Sequence, residues 1–271
     1  MEYTVKDIPI YYETYGSGTP IVMIHGWSVD HHLMSGCLEP VFAGQDDTWQ
    51  RIYLDLPGMG KTPARSWING SDAMLEVVLG FIDGLLPGRH FLIAGESYGG
   101  YLARGVIKAR RSLVDGMLFI CSSVGQADRE VPELCVLEKD EAFLNSLSEE
   151  DRRYFTGINV VQTPRVWELF KRDVLSGLKV ADYDFLEHTL SQNVPYRVDV
   201  DRIEKPYDQP ALFVMGRQDN SVGYRDHWRL IENFSRASFV ILDKAGHNLQ
   251  VEQDGLFHAL AKEWLERVTG K

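Results

Sequence analysis

Phe91-Leu92-Ile93-Ala94-Gly95-Glu96-Ser97-Tyr98-Gly99-Gly100 reads as a buried strand that turns into a helix at Ser97. The first four residues are uniformly apolar. In the following stretch Tyr101, Gly105 and Ala109 share one helical face with Leu102 and Val106. A strand that becomes a helix within a few residues bends sharply, and glycines at 95, 99 and 100 remove side chains that would clash there. The residue at the tip is driven into a strained backbone conformation, with its hydroxyl at the end of the sheet and a helix N-terminus beneath it. That placement suits a nucleophilic serine.

A serine hydroxyl is a poor nucleophile near neutral pH and needs a base, which in turn needs an orienting group. Of the histidines at 25, 31, 32, 90, 188, 227, 247 and 258, His247 is the expected base. It lies in Lys244-Ala245-Gly246-His247-Asn248, just beyond the strand-like run Ser238-Phe239-Val240-Ile241-Leu242. Asp219 holds the equivalent place one unit earlier, in Gly216-Arg217-Gln218-Asp219-Asn220 after Ala211-Leu212-Phe213-Val214-Met215. In a parallel sheet all strand carboxyl ends share one edge, so Ser97, Asp219 and His247 can converge. His90 precedes a strand and so sits at the wrong edge. His31 and His32 are adjacent on an expected helix and do not face one another, which disfavours a metal pair. His258 belongs to the last helix, His227 to the segment before the penultimate strand, and His188 to the middle region as a conceivable substrate contact.

An acyl transfer also needs fixed donors for the developing oxyanion. The N–H of Tyr98, after the serine, is one candidate. The N–H of Trp27, in His25-Gly26-Trp27-Ser28 after the apolar strand Ile21-Val22-Met23-Ile24, is the other. His25 follows that strand directly and is expected to brace the loop by hydrogen bonding.

His25-Gly26-Trp27, Asp55-Leu56-Pro57-Gly58-Met59-Gly60, Gly95-Glu96-Ser97-Tyr98-Gly99-Gly100, Gly216-Arg217-Gln218-Asp219 and Gly246-His247 through Glu252 follow one another as the landmarks of the α/β-hydrolase superfamily do. Over residues 1 to about 121 and about 196 to 271 the chain resembles a serine-nucleophile, lid-containing member. The order Ser…Asp…His agrees. The resemblance implies an α/β fold: a doubly wound, mostly parallel sheet, a Ser97-His247-Asp219 triad, and oxyanion donors at Trp27 and Tyr98. Lys61-Thr62 departs from the small residue that relatives often carry after Gly60. Gly60-Lys61-Thr62 is not a phosphate loop, because G-x-x-x-x-G-K-[ST] requires glycine at 55 and the residue is Asp55.

Strands are expected at 2–6, 8–15, 21–24, 51–54, 91–94, 117–121, 211–215 and 238–242, alternating with amphipathic helices. Ser71 is the expected cap of one whose stripe is Leu75, Val78, Leu79, Ile82 and Leu86; Phe257, Leu260, Ala261, Trp264, Leu265 and Val268 mark another. Residues 122–195 break the alternation. They hold no convincing strand but several helix starts: Ser148-Glu149-Glu150-Asp151, Thr163-Pro164, and Asp182 or Asp184. This segment is expected to be a helical lid over the strand carboxyl ends, distinct from a core of 1–121 and 196–271. Its Tyr154, Phe155, Trp167 and Phe170 either line an apolar substrate pocket or pack the lid on the core.

The 271 residues carry 44% hydrophobic and 25% charged side chains, which suits a globular chain with a real core. A net charge of −11 argues against nucleic-acid partners and weakly against highly anionic substrates. No signal-like start or bilayer-length apolar run is present, so no membrane partner is expected. Cys37, Cys121 and Cys135, an odd and scattered set, suggest free thiols in a reducing compartment and hence a cytoplasmic protein. Asn69-Gly70-Ser71 and Asn233-Phe234-Ser235 fit the glycosylation pattern, which has no consequence without secretion. No cofactor and no metal are implied. The resemblance implies a small-molecule substrate and a two-step hydrolysis through an acyl-enzyme, with a carboxylic ester as the expected substrate. Carbon–carbon bond hydrolysis of a diketone, lactone opening, N-terminal peptide cleavage and cofactor-free perhydrolysis would use the same groups. A ligand-binding receptor on the same scaffold is the alternative of a different class.

Overall fold

The computed structural model describes residues 1–125 and 130–270. β1 (Glu2–Val5) and β2 (Ile8–Tyr15) form an antiparallel hairpin, and β2 pairs antiparallel with β4 (Trp49–Leu54). The remaining ladders are parallel: β3 (Thr19–Ile24) lies between β4 and β5 (Phe91–Glu96), followed by β6 (Val114–Ile120), β9 (Ala211–Gly216) and β10 (Ala237–Leu242). The sheet order is therefore β1-β2-β4-β3-β5-β6-β9-β10.

Residues within one strand supply two separate cores. Val22 and Ile24 of β3 join Val78, Phe81, Leu102 and Val106 on one face, whereas Ile21 and Met23 join Leu38, Phe257, Trp264 and Leu265 on the other. Because side chains alternate along a strand, a strand apolar at every position is covered on both faces, as parallel sheets require. The helices Ser71–Leu85 and Ser97–Arg110 cover the first face; His31–Leu38 and Asp254–Thr269 cover the second. Ser71 is the first residue of its helix and not its cap. Gly70 holds the cap position in extended backbone, and the Ser71 hydroxyl bonds Tyr98 Oη at 3.0 Å instead. A buried phenol recruits that hydroxyl, so it is unavailable to the helix end.

Between β6 and β9 the chain forms short helices at Glu141–Leu144, Glu149–Thr156, Pro164–Phe170, Ser176–Leu178 and Tyr183–His188. Ser148, Thr163 and Asp182 cap three of them, each accepting a backbone N–H three residues on. The segment also holds a parallel pair, β7 (Glu138–Lys139) with β8 (Val161–Gln162). Two residues per strand are too few for an alternating pattern, which is why the sequence offers no strand there. Residues 126–129 of the expected 122–195 segment lie outside the described residues. Close backbone approach docks the segment on the core: Asp182 N–H donates to Gly58 O at 2.9 Å, and a Cβ on Gly177 would lie 2.5 Å from Asp30 N. No helix among the described residues is long and apolar enough to cross a membrane.

Candidate active site

Ser97 directly follows β5 and starts the helix Ser97–Arg110 with φ +49°, a left-handed conformation that side chains rarely adopt. The bend is so tight that a Cβ on Gly99 would lie 2.1 Å from Ile24 O, and one on Gly95 2.5 Å from Gly99 O. Any other residue at either position would push β3, β5 and the helix apart. The strain is thus held by packing on three sides, and it presents the Ser97 hydroxyl at the carboxyl edge of the sheet.

His247 must come from farther away. β10 stands three strands from β5, roughly 14 Å at ordinary strand spacing. The five residues from Asp243 to His247 can span about 17 Å when extended. Their path crosses the ends of the intervening strands. A Cβ on Gly216, the last residue of β9, would lie 2.2 Å from Gly246 O, and the Cys121 thiol beyond β6 donates to that same oxygen at 3.5 Å. The loop delivers His247 Nε2 to 3.0 Å from Ser97 Oγ and His247 Nδ1 to 3.0 Å from Asp219 Oδ2.

Asp219 is fully buried, and its other oxygen accepts the N–H groups of Ser221 at 2.8 Å and Val222 at 3.0 Å. Burial alone would raise its carboxyl, but the facing imidazole and those two N–H groups outweigh it and hold Asp219 below the usual carboxylate range. Asp243, the carboxylate that opens this loop, turns outward and accepts from Gln218 Nε2 at 2.8 Å.

The backbones of Trp27 and Tyr98 reach the same edge, because β3 pairs with β5 in parallel register with Ile24 opposite Gly95. Their rings meet edge to face, centroids 5.2 Å apart. The N–H of Tyr98 lies in the first helical turn, where backbone donors have no partner within the helix. His25 braces the Trp27 loop: its Nε2 accepts the Leu56 N–H at 3.0 Å and its Nδ1 meets Gly26 O at 2.8 Å.

A cavity of about 220 Å³ opens on Ser97 and His247, with Val29, Leu33, Phe170, Val174 and Leu178 along its apolar wall. Of the four aromatics singled out in the sequence, Phe170 lines it. Phe155 and Trp167 pack behind Phe170 at centroid distances of 5.4 and 6.1 Å, and Tyr154 is partly buried against the same core. A larger hollow of about 420 Å³, bounded by Tyr101, Tyr196, Asp201 and Arg229, borders neither Ser97 nor His247.

Two carboxyl groups of the site carry no assignment from sequence. Glu96 is 2% exposed and places Oε1 3.4 Å from His247 Nε2. Burial pushes its carboxyl up to about 7. Glu252 is also buried. Its Oε1 accepts the N–H of Val160 at 2.5 Å and of Val161 at 3.2 Å, while Oε2 accepts the Gly246 N–H at 2.5 Å. It therefore ties β8 to the residue before His247, and burial raises its carboxyl to about 7 against the pull of those three donors. The signal in sequence is weak: Glu96 sits between Gly95 and the nucleophile, and Glu252 closes the landmark stretch that opens at Gly246-His247.

Cys121, Asp219 and His247 bring possible metal-binding atoms within 4.8 Å of one another, as do Asp30, His31 and His32. Both sets are already engaged. The Asp219 oxygens are taken as described, and burial lifts the Cys121 thiol well above its usual value. His31 Nδ1 pairs with Asp55, and His32 Nδ1 with Asp30.

Residues 21–260 match the alpha/beta hydrolase family. An alpha/beta superfamily hydrolase from Oenococcus oeni PSU-1 shares 28% identity and a TM-score of 0.89 over 99% of each chain. A pimeloyl-[acyl-carrier protein] methyl ester esterase from Legionella pneumophila is 23% identical over 95% of this chain and 99% of its own length. One from Methylococcus capsulatus is 26% identical over 79% and 81%. With its mostly parallel eight-stranded sheet and helices on both faces, the chain belongs to the alpha/beta hydrolase family.

Proposed function

We propose that the protein hydrolyses carboxylic esters through an acyl-enzyme formed on Ser97. The observation that carries this reading is the unbroken line Ser97 Oγ–His247–Asp219, two contacts of 3.0 Å, opening on the cavity. His247 Nε2 removes the Ser97 proton as Oγ bonds to the carbonyl carbon, and the carbonyl electron pair moves onto oxygen, facing the N–H groups of Trp27 and Tyr98. As the C–O bond to the alcohol breaks, the imidazolium returns its proton to the leaving oxygen. Water then loses a proton to His247 as it bonds to the acyl carbon, and when the bond to Oγ breaks the imidazolium passes that proton to Ser97 and the acid is released. Asp219 holds the tautomer with the proton on Nδ1 and stabilises the imidazolium.

The esterase names of the relatives support an ester as the bond cleaved. The cavity is smaller than the roughly 300–1,000 Å³ typical of drug-sized ligands, and its wall is apolar, which suits a small, fairly apolar acyl group. Residues 122–195 act in this reading as a lid that keeps water from the acyl-enzyme. Three free cysteines fit work in a reducing compartment such as the cytoplasm.

The test is Ser97→Ala with activated acyl esters and a fluorophosphonate probe. Activity should fall by about four orders of magnitude or more with the fold retained. Labelling that persists in Ser97→Ala overturns the choice of nucleophile. Stoichiometric ligand retention without turnover by the unaltered protein overturns the enzymatic reading in favour of a receptor.

A further inference from the structure

Among the described residues that line the cavity in front of Ser97, Glu96 and His247 are the only titratable side chains, and none is a lysine or arginine. The Glu96 carboxyl is wedged between the loop that carries Trp27 and the imidazole. A Cβ on Gly26 would lie 2.1 Å from Glu96 Oε2, and the Gly26 backbone N–H bonds the carboxyl. Its nearest charge-bearing neighbour is His247, already held on its other nitrogen by Asp219. His247 engages Asp219 through Nδ1 and Ser97 Oγ through Nε2, so neither ring nitrogen is offered to an anion in the resting site.

We propose that Glu96 is a specificity-determining residue that makes this site a charge filter: esters neutral or cationic beside the carbonyl are accepted, and those carrying a carboxylate there are rejected. The inference rests on the esterase reading above and narrows its substrate class. Two carboxylates about 6 Å apart at an effective dielectric near 20 repel by an amount equal to roughly a hundred-fold in binding. Burial, with the Asp219 charge adding, lifts the Glu96 carboxyl to about 7 against the opposing pull of His247 and Gly26, so the filter is on above that pH and relaxes below it. Cys37 and Cys121 also sense this charge, but burial raises both thiols well above their usual value and they stay neutral.

Methyl succinamate and monomethyl succinate have nearly the same shape and differ in charge, and β-alanine methyl ester places a cation at a similar reach. At pH 8 the unaltered protein should show kcat/KM for the succinamate about five- to ten-fold above that for the succinate, the ceiling set by the cost of protonating Glu96 one unit above its value of about 7. The ratio should shrink at pH 6, where any loss of His247 function affects both esters alike and cancels. Glu96→Gln should bring the ratio to within about three-fold of unity and lower the rate on β-alanine methyl ester relative to the succinamate. An unaltered ratio in Glu96→Gln overturns the proposal. If that variant does not fold, a ratio near one at pH 8, or one that does not change between pH 6 and pH 8, in the unaltered protein overturns it. Turnover of none of the three esters overturns the esterase reading and this inference with it; turnover without charge discrimination overturns this inference alone.

Discussion

Glu252→Gln keeps the shape of the buried side chain but turns one accepting oxygen into a donor. Both Glu252 oxygens face backbone N–H groups, Oε1 those of Val160 and Val161 and Oε2 that of Gly246. Whichever way the amide turns, its NH₂ opposes at least one N–H that has lost its acceptor. A pH of 6 lies below the value of about 7 to which burial pushes the Glu252 carboxyl, so the acid is largely neutral there, its hydroxyl oxygen still accepting through a lone pair, and removing charge adds little to the comparison. A buried donor left unpaired costs about 1–3 kcal/mol, and the opposed NH₂ adds a cost of similar size, so a net loss of about 2–4 kcal/mol is expected. For a chain of this length that lowers the Tm by roughly 5–15 °C. At pH 8 the gap should narrow. A carboxyl raised above its unfolded value contributes stability that is complete below about 4.5 and lost as pH rises through about 7, so the unaltered protein gives up part of its advantage. Gly246 precedes His247, so a shift of that loop by a fraction of an ångström should also lower kcat about ten- to hundred-fold. Thermal unfolding followed by circular dichroism, with kcat on an activated ester, measures both. A Tm within about 2 °C of the unaltered protein at pH 6, with kcat unchanged, refutes the reasoning.

Asp219→Asn should leave the distances intact yet lower kcat about 10⁴-fold, since an amide can stabilise the wrong imidazole tautomer; single-turnover kinetics measure this. Phe170→Ala removes a fully buried ring at the cavity wall. It should cost about 3–5 kcal/mol and shift preference toward longer acyl chains by factors of tens, whereas Trp167→Ala, one layer behind, should destabilise without moving the chain-length profile. Glu96→Gln should be more stable than the unaltered protein at pH 8, by up to roughly 3 kcal/mol for a carboxyl raised from 4.5 to about 7. That gain should vanish below about pH 4.5, and urea unfolding at the two pH values tests the sign.

The reading of β5 and its turn from sequence succeeds because local rules and packing agree there. A fully apolar strand, three glycines and an amphipathic helix all demand the same bend, and φ at Ser97 records it. Asp219 and His247 are legible because each follows a strand, and a parallel sheet brings those ends to one edge. The cap at Ser71 is misread because tertiary context competes for its hydroxyl, and a single sequence does not reveal that Tyr98 lies opposite. The pair β7–β8 is too short to carry a period. The four aromatics of the inserted segment share a composition but not a depth: helical spacing places them on faces, while only the packing of Phe155 and Trp167 behind Phe170 decides which one meets the cavity. The roles of Glu96 and Glu252 depend on contacts across the fold, with Gly26 in one case and with Val160 and Val161 in the other.

The grip of Glu252 on β8 uses the main chain alone. The N–H groups of Val160 and Val161 are present in every residue but proline, so this contact, unlike the Asn248 Nδ2 to Asn159 Oδ1 bond of 3.2 Å beside it, is indifferent to the side chains on the inserted side. Cavity-lining positions of that segment, Ile158, Phe170 and Val174 among them, can therefore be changed without removing the Glu252 contact. A transplanted segment needs non-proline residues at 160 and 161 to keep this contact, and an asparagine at 159 to keep its neighbour. Exchange of whole segments between relatives becomes a feasible route to new selectivity, and a proline at either position should uncouple an otherwise intact donor segment.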